Sequence, residues 1–115
     1  MNVTIYHNPR CSKSRQTLQL LTEQGIEANI VEYLNAPPAT DELQQILNSL
    51  GMKPRELMRK NESIYKEANL NDASLSDEQL VAAMIEYPIL IERPIVLANG
   101  KARIGRPPQS VLEIL

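Results

Sequence analysis

Sulfur and imidazole ligands are nearly absent from this chain. Its 115 residues include one cysteine, Cys11, and one histidine, His7. A single cysteine excludes an internal disulfide. One cysteine and one histidine also fall short of a closed zinc site, so no metal is expected. A lone thiol suits a reducing compartment. Charge of one sign is missing too: twelve Lys and Arg against fourteen Asp and Glu leave a formal charge of −2. That balance gives no electrostatic footprint for nucleic acid, so any anion site must be local. No run approaches the ~18 apolar residues of a membrane span. The opening MNVTIYHNPR has no apolar signal-peptide core. Internal repeats and low-complexity tracts are lacking. Together these absences predict a soluble cytoplasmic protein of one domain, residues 1–115.

What is present is an ordered set of elements with prolines at the junctions. Asn2 to Tyr6 alternates, with Val3 and Ile5 on one face, and predicts a short strand. A helix is expected from about Ser12, with Ser14, Thr17, Leu18 and Leu21 on one face and Gly25 as its stop. Ala28 to Tyr33 reads as a second strand, parallel to the first by the crossover rule. After Ala36-Pro37-Pro38 the chain turns helical over about 40–87. Thr40 is a candidate N-cap for the stripe Leu43, Ile46, Leu47 and Leu50, which Gly51 ends. Pro54 suits the first turn of a short helix. Lys60 to Leu75 is polar and irregular, with one short helix expected around Tyr65. Ser76 to Gln79 is a capping box opening a helix that Pro88 stops. Pro94 to Ala98 and Lys101 to Gly105 flank Asn99-Gly100, a strong hairpin signal. Pro107 and Pro108 open a last helix with Val111, Leu112 and Leu115 inward. The order is βαβ, a helical insertion at about 40–87, then ββα. It is the layout of an α/β, thioredoxin-like fold with a mixed four-stranded sheet.

In that layout the third strand runs opposite to the first. Cys11 follows strand one, Arg93 precedes strand three and Arg106 follows strand four, so all three meet at one rim. Ligands of open α/β sheets bind at the carboxyl end of such strands. A helix N-terminus there favours a thiolate and binds anions. A dipole contribution of ~0.3–2 kcal/mol lowers a thiol pKa by roughly one unit, so nearby cations must supply the rest. Arg10, Lys13, Arg15 and His7 are close in sequence. Arg93 and Arg106 both precede proline and can close on an anion as forks. The Arg93–Pro94 bond is expected to be cis, although only ~5% of such bonds are.

Each of these residues has a plainer reading. A lone cysteine is usually a small buried apolar residue, though Cys11 has polar and charged neighbours. His7 could equally cap loop backbone. Arg93 and Arg106 could form surface ion pairs, and Arg59 alone would pass as a solvated helix end. A phosphatase loop needs C-x₅-R, whereas Cys11 to Arg15 is C-x₃-R. Cys11 and Ser14 read C-x-x-S, a redox spacing without its second sulfur, so an outside thiol must resolve any adduct.

The segments YHNPRCSKSR, ELMRKN, ERPIVLANGKARIGRP and VLEIL resemble the glutaredoxin-coupled arsenate reductases, and in particular their arsenate reductase-like branch. The resemblance covers nearly the whole chain and rests on H-N-P-x-C-x-x-S-R, then R-K-N, R-P-I-V and a final R-P. It implies that Cys11 is the nucleophile that attacks arsenic and that His7 helps to depress its pKa. It implies that Arg59, Arg93 and Arg106 hold the oxyanion, with Ser12, Ser14 and Arg15 in the nucleophile loop. It implies arsenate or a similar oxyanion as substrate, glutathione as co-substrate with no bound cofactor, and glutaredoxin as protein partner. The same superfamily leaves two alternatives open. One is a polymerase-binding regulator of the Spx type, whose C-x-x-C switch Ser14 would remove. The other is a glutathione-dependent reductase of a different substrate.

Overall fold

Alternation at the N-terminus does produce a strand. The computed structural model describes residues 2–115, with β1 at Val3–Tyr6, α1 at Ser12–Glu23 and β2 at Asn29–Val31. There follow α2 (Thr40–Leu50), α3 (Pro54–Leu57), α4 (Ser63–Glu67) and α5 (Asp77–Glu86). A 3₁₀ turn at Pro88–Leu90 leads to β3 (Ile95–Ala98), β4 (Lys101–Ile104) and a 3₁₀ segment at Pro108–Ile114. Contacts divide the chain into two compact units, one formed by the chain up to Ala36 together with Arg93–Leu115, the other by Pro37–Glu92.

The first unit holds the whole sheet, in the order β2-β1-β3-β4. β1 and β2 are parallel, with Ile5 beside Ile30. β3 is antiparallel to both β1 and β4. This is the mixed four-stranded sheet that the element order predicts. Val3 and Ile5 pair with Ala98 and Val96, and all four join Leu21, Val111 and Ile114 in one buried cluster. Each fully buried Val, Leu or Ile side chain there contributes about 1.5–3 kcal/mol of hydrophobic stabilisation. Asn99 and Gly100 both have positive φ, 54° and 72°, as the tight hairpin requires. Asn99 Nδ2 also donates to the Ile114 carbonyl at 2.8 Å, which ties the hairpin to the C-terminal segment.

That C-terminal segment departs from expectation. It is 3₁₀ throughout, and Pro108, Val111 and Ile114 face inward while Leu112 is 40% exposed. Three residues per turn put every third side chain on one face. The α-helical period selects Leu112, which the tighter period turns outward in favour of Ile114, while Leu115 is partly buried against the sheet cluster as expected.

Gly105 explains a close approach between α1 and the β4 end. A Cβ at Gly105 would overlap Thr17 Oγ1 and lie 2.9 Å from Pro94 Cγ. Thr17 is fully buried and its hydroxyl donates back to the Lys13 carbonyl.

In the second unit the stripe Leu43, Ile46 and Leu47 of α2 is buried, and α2 and α3 both pack against α5. The α2 N-cap is Ala39, not Thr40, which is already helical. Glu42, three residues on, accepts the Ala39 N–H and so satisfies a donor without a capping hydroxyl. Ser76 and Gln79 form the expected reciprocal box at α5. The polar stretch from Lys60 to Leu75 is held by Arg55, which donates to Tyr65 Oη, the Leu70 carbonyl and the Asp72 carbonyl at 2.7, 2.7 and 2.9 Å.

Candidate active site

The site grows from the turn between β1 and α1. Cys11 is the N-cap of α1, with extended backbone (φ −92°, ψ 124°). Its carbonyl accepts the first helical bond, from Arg15 N–H, and its own N–H donates to the Asn8 carbonyl. Asn8 Oδ1 accepts from Arg10 N–H at 3.0 Å, an Asx-type turn that shapes the approach to the thiol. Asn8 N–H in turn donates to Ser14 Oγ, which lies 2.7 Å from His7 Nδ1. His7, Asn8 and Ser14 are all buried, and this interlocked set fixes the loop onto the first turn of α1.

The thiol sits where that first turn exposes its amides. Burial pushes the Cys11 thiol up, but the Ser14 N–H, the hydrogen bond and charge of Arg93, and the Lys13 N–H outweigh it. The net result is a thiol held below its ordinary range. Arg106 approaches the same sulfur, with Nη2 3.4 Å from Sγ. Its Nε donates to the Arg93 carbonyl at 2.8 Å, so the two arginines are braced against each other. The Arg93–Pro94 bond is cis, as expected, and the Arg106–Pro107 bond is cis as well. Gly105 N–H donates to the Pro94 carbonyl, joining the start of β3 to the end of β4. The rim inferred from strand order thus does gather Cys11, Arg93 and Arg106.

The other candidates are placed differently. His7 meets Ser14 rather than carrying charge to the sulfur. Burial holds its imidazole below the usual histidine pKa, the Arg15 charge adds to this and Glu32 opposes it, so the ring is neutral at pH 7. The Ser14 hydroxyl is engaged by His7 and Asn8, and only its backbone N–H faces the thiol. Arg15 Nη1 donates to the Pro9 carbonyl and so staples the loop. Ser12 opens α1 and is exposed. Arg59 lies in the second unit and is paired with Glu62 and Glu92.

Asn8 and the two glutamates on Arg59 were not singled out from the sequence. Asn-Pro before the thiol was the available sign of an Asx turn. Nothing local marks a bond between Arg59 and Glu92, 33 positions apart. Among the described residues no group of three or more His, Cys, Asp or Glu is placed to hold a metal ion. Among them, too, no helix is long and apolar enough to cross a membrane.

The family model described as ArsC family matches residues 6–114. The chain is 60% identical over 114 residues to the uncharacterized protein YfgD of Escherichia coli, covering 98% of this chain and 96% of that protein. It is 50% identical over 116 residues to a protein of Haemophilus influenzae named arsenate reductase, with both chains fully covered. A solved structure titled arsenate reductase from Vibrio cholerae superposes with a TM-score of 0.97 at 56% identity, covering 100% of this chain and 98% of that one.

Proposed function

Because the chain belongs to the ArsC family, we propose that it is a glutathione- and glutaredoxin-dependent arsenate reductase acting through a Cys11 thiolate. One observation carries this: a lone, pKa-depressed sulfur with two guanidinium groups at it, Arg93 by hydrogen bond and Arg106 at 3.4 Å. A thiolate is the nucleophilic form, and fixed donors aimed at an oxyanion stabilise charge without reorganising.

The chemistry follows from these groups. Hydrogen arsenate settles against the amides after Cys11 and against Arg93 and Arg106. The Cys11 thiolate attacks arsenic, an As–S bond forms, and one oxygen leaves as water or hydroxide. Arg93 and Arg106 stabilise the crowded, anionic transition state. The thiol of glutathione then attacks the Cys11 sulfur. The As–S bond breaks with its electron pair going to arsenic, which departs as arsenite. The two sulfurs, each oxidised by one electron, remain as a Cys11–glutathione disulfide. Glutaredoxin takes the glutathione and returns the thiol. Cys11 needs these outside thiols because no second cysteine exists in the chain. Arg59 enters this reading through the resemblance alone. Phosphate shares arsenate's shape and charge and should bind, so discrimination would rest on the easier two-electron reduction of arsenic.

The test is arsenate-dependent NADPH loss with purified protein, glutathione, glutaredoxin and glutathione reductase. The reading requires turnover that Cys11→Ser abolishes. Absence of arsenate-dependent loss overturns it.

A further inference from the structure

Arg59 is engaged before any ligand arrives. The segments 57–59 and 90–92 run antiparallel, with a bridge between Met58 and Ile91, both buried. Arg59 N–H donates to the Leu90 carbonyl at 2.7 Å, and Glu92 N–H to the Leu57 carbonyl at 3.0 Å. This short ladder brings Arg59 and Glu92 together, and Nη1 donates to Glu92 Oε1 at 2.6 Å. A second carboxylate arrives from the next turn of chain, where Nε donates to Glu62 Oε2 at 3.2 Å. The side chains are about a quarter exposed, at 22% for Arg59, 24% for Glu62 and 28% for Glu92. Arg59 and Glu92 border a hollow of about 290 Å³ whose wall includes Lys60, Asn61 and Glu56.

A guanidinium grips an oxyanion best through two adjacent nitrogens. Two of the three nitrogens of Arg59 already carry a carboxylate. Either pair that includes Nη2 therefore contains one engaged nitrogen. One arginine with two glutamates also has a net formal charge of −1, which repels a dianion. An oxyanion that takes the Nε–Nη2 edge must displace Glu62, and one that takes the Nη1–Nη2 edge must use the second N–H of an Nη1 already bonded to Glu92.

We propose that Glu92 and Glu62 are positioning residues that aim Arg59 and compete with the oxyanion for it, so that affinity is set by carboxylate-for-oxyanion exchange at this guanidinium. The inference rests on Arg59 being an oxyanion ligand, and its test needs no turnover. Inorganic sulfate is titrated calorimetrically into the reduced protein and into Glu92→Gln, Glu62→Gln and Glu92→Gln/Arg59→Ala, with Glu27→Gln as an equal charge change elsewhere. Glu92→Gln is expected to tighten sulfate binding about fivefold, the scale of losing one partly exposed ion pair. Glu62→Gln should act in the same direction, Glu27→Gln should not, and Arg59→Ala should erase the gain. Sulfate affinity in both glutamine variants equal to or weaker than that of the parent overturns the proposal. So does a gain that survives Arg59→Ala. If Glu92→Gln does not fold, Glu62→Gln decides alone. A protein that shows the sulfate effect but no arsenate turnover sinks the reductase reading and leaves this one standing.

Discussion

Arg93 acts on Cys11 through a hydrogen bond and through its charge, while Arg106 Nη2 lies 3.4 Å from the sulfur. Arg93→Ala should therefore raise the thiol pKa more than Arg106→Ala, as read from thiolate ultraviolet absorbance against pH. His7 engages the Ser14 hydroxyl, whereas it is the Ser14 backbone N–H that acts on the sulfur. His7→Gln should shift the thiol less than Arg93→Ala; a larger shift would show that imidazole charge activates the nucleophile. His7 has its own signature in stability. Its folded pKa is depressed, so the unfolded chain binds the proton more readily. Folding free energy is then unaffected well above ~6.5 and falls as pH drops through the folded pKa. Denaturant midpoints measured from pH 8 to pH 5 should decline on the acid side, and His7→Gln should flatten that decline.

At the scale of elements, two residues join segments that local pattern cannot connect. Gly105 lets β4 pass close to Thr17 on α1 and to Pro94. Gly105→Ala is expected to cost about 1–3 kcal/mol through overpacking, measured by urea unfolding. Arg55 holds the 65–72 stretch by three bonds. Arg55→Ala should cost about 1–3 kcal/mol, since bonds from a charged donor are stronger than neutral ones and these are partly exposed. Amide exchange should accelerate first between Tyr65 and Leu75. Much of the element order was legible because its markers are local: Ser76 and Gln79 cap a helix, Asn99-Gly100 turns a hairpin, and Val3 and Ile5 alternate. The rim of Cys11, Arg93 and Arg106 was legible too, since strand direction alone carries three distant positions to one edge. The C-terminal 3₁₀ segment was not, because Val111 fits both helical periods and only packing of Ile114 against the sheet cluster selects one. Likewise Thr40 looked like a cap by chemistry, and a glutamate reaching back to Ala39 served in its place. The clamp on Arg59 was invisible because its partners come together only through a tertiary ladder.

For the whole molecule the decisive number is one sulfur nucleophile per chain. Oxidation in the presence of glutathione should add a single glutathione, seen by intact mass, and Cys11→Ser should accept none. The adduct should persist until an external thiol is supplied, since no neighbouring cysteine can displace it. The low net charge implies that anion binding rests on a few local groups, so oxyanion affinity should weaken with ionic strength while overall stability changes less. The bracing of Arg106 against the Arg93 carbonyl brings two positive side chains to one sulfur. Such a nest is more comfortable with a guest than without, which makes the purification buffer a variable in its own right. Material kept in inorganic phosphate should melt at a higher temperature and start more slowly in an assay than the same material exchanged into a zwitterionic buffer.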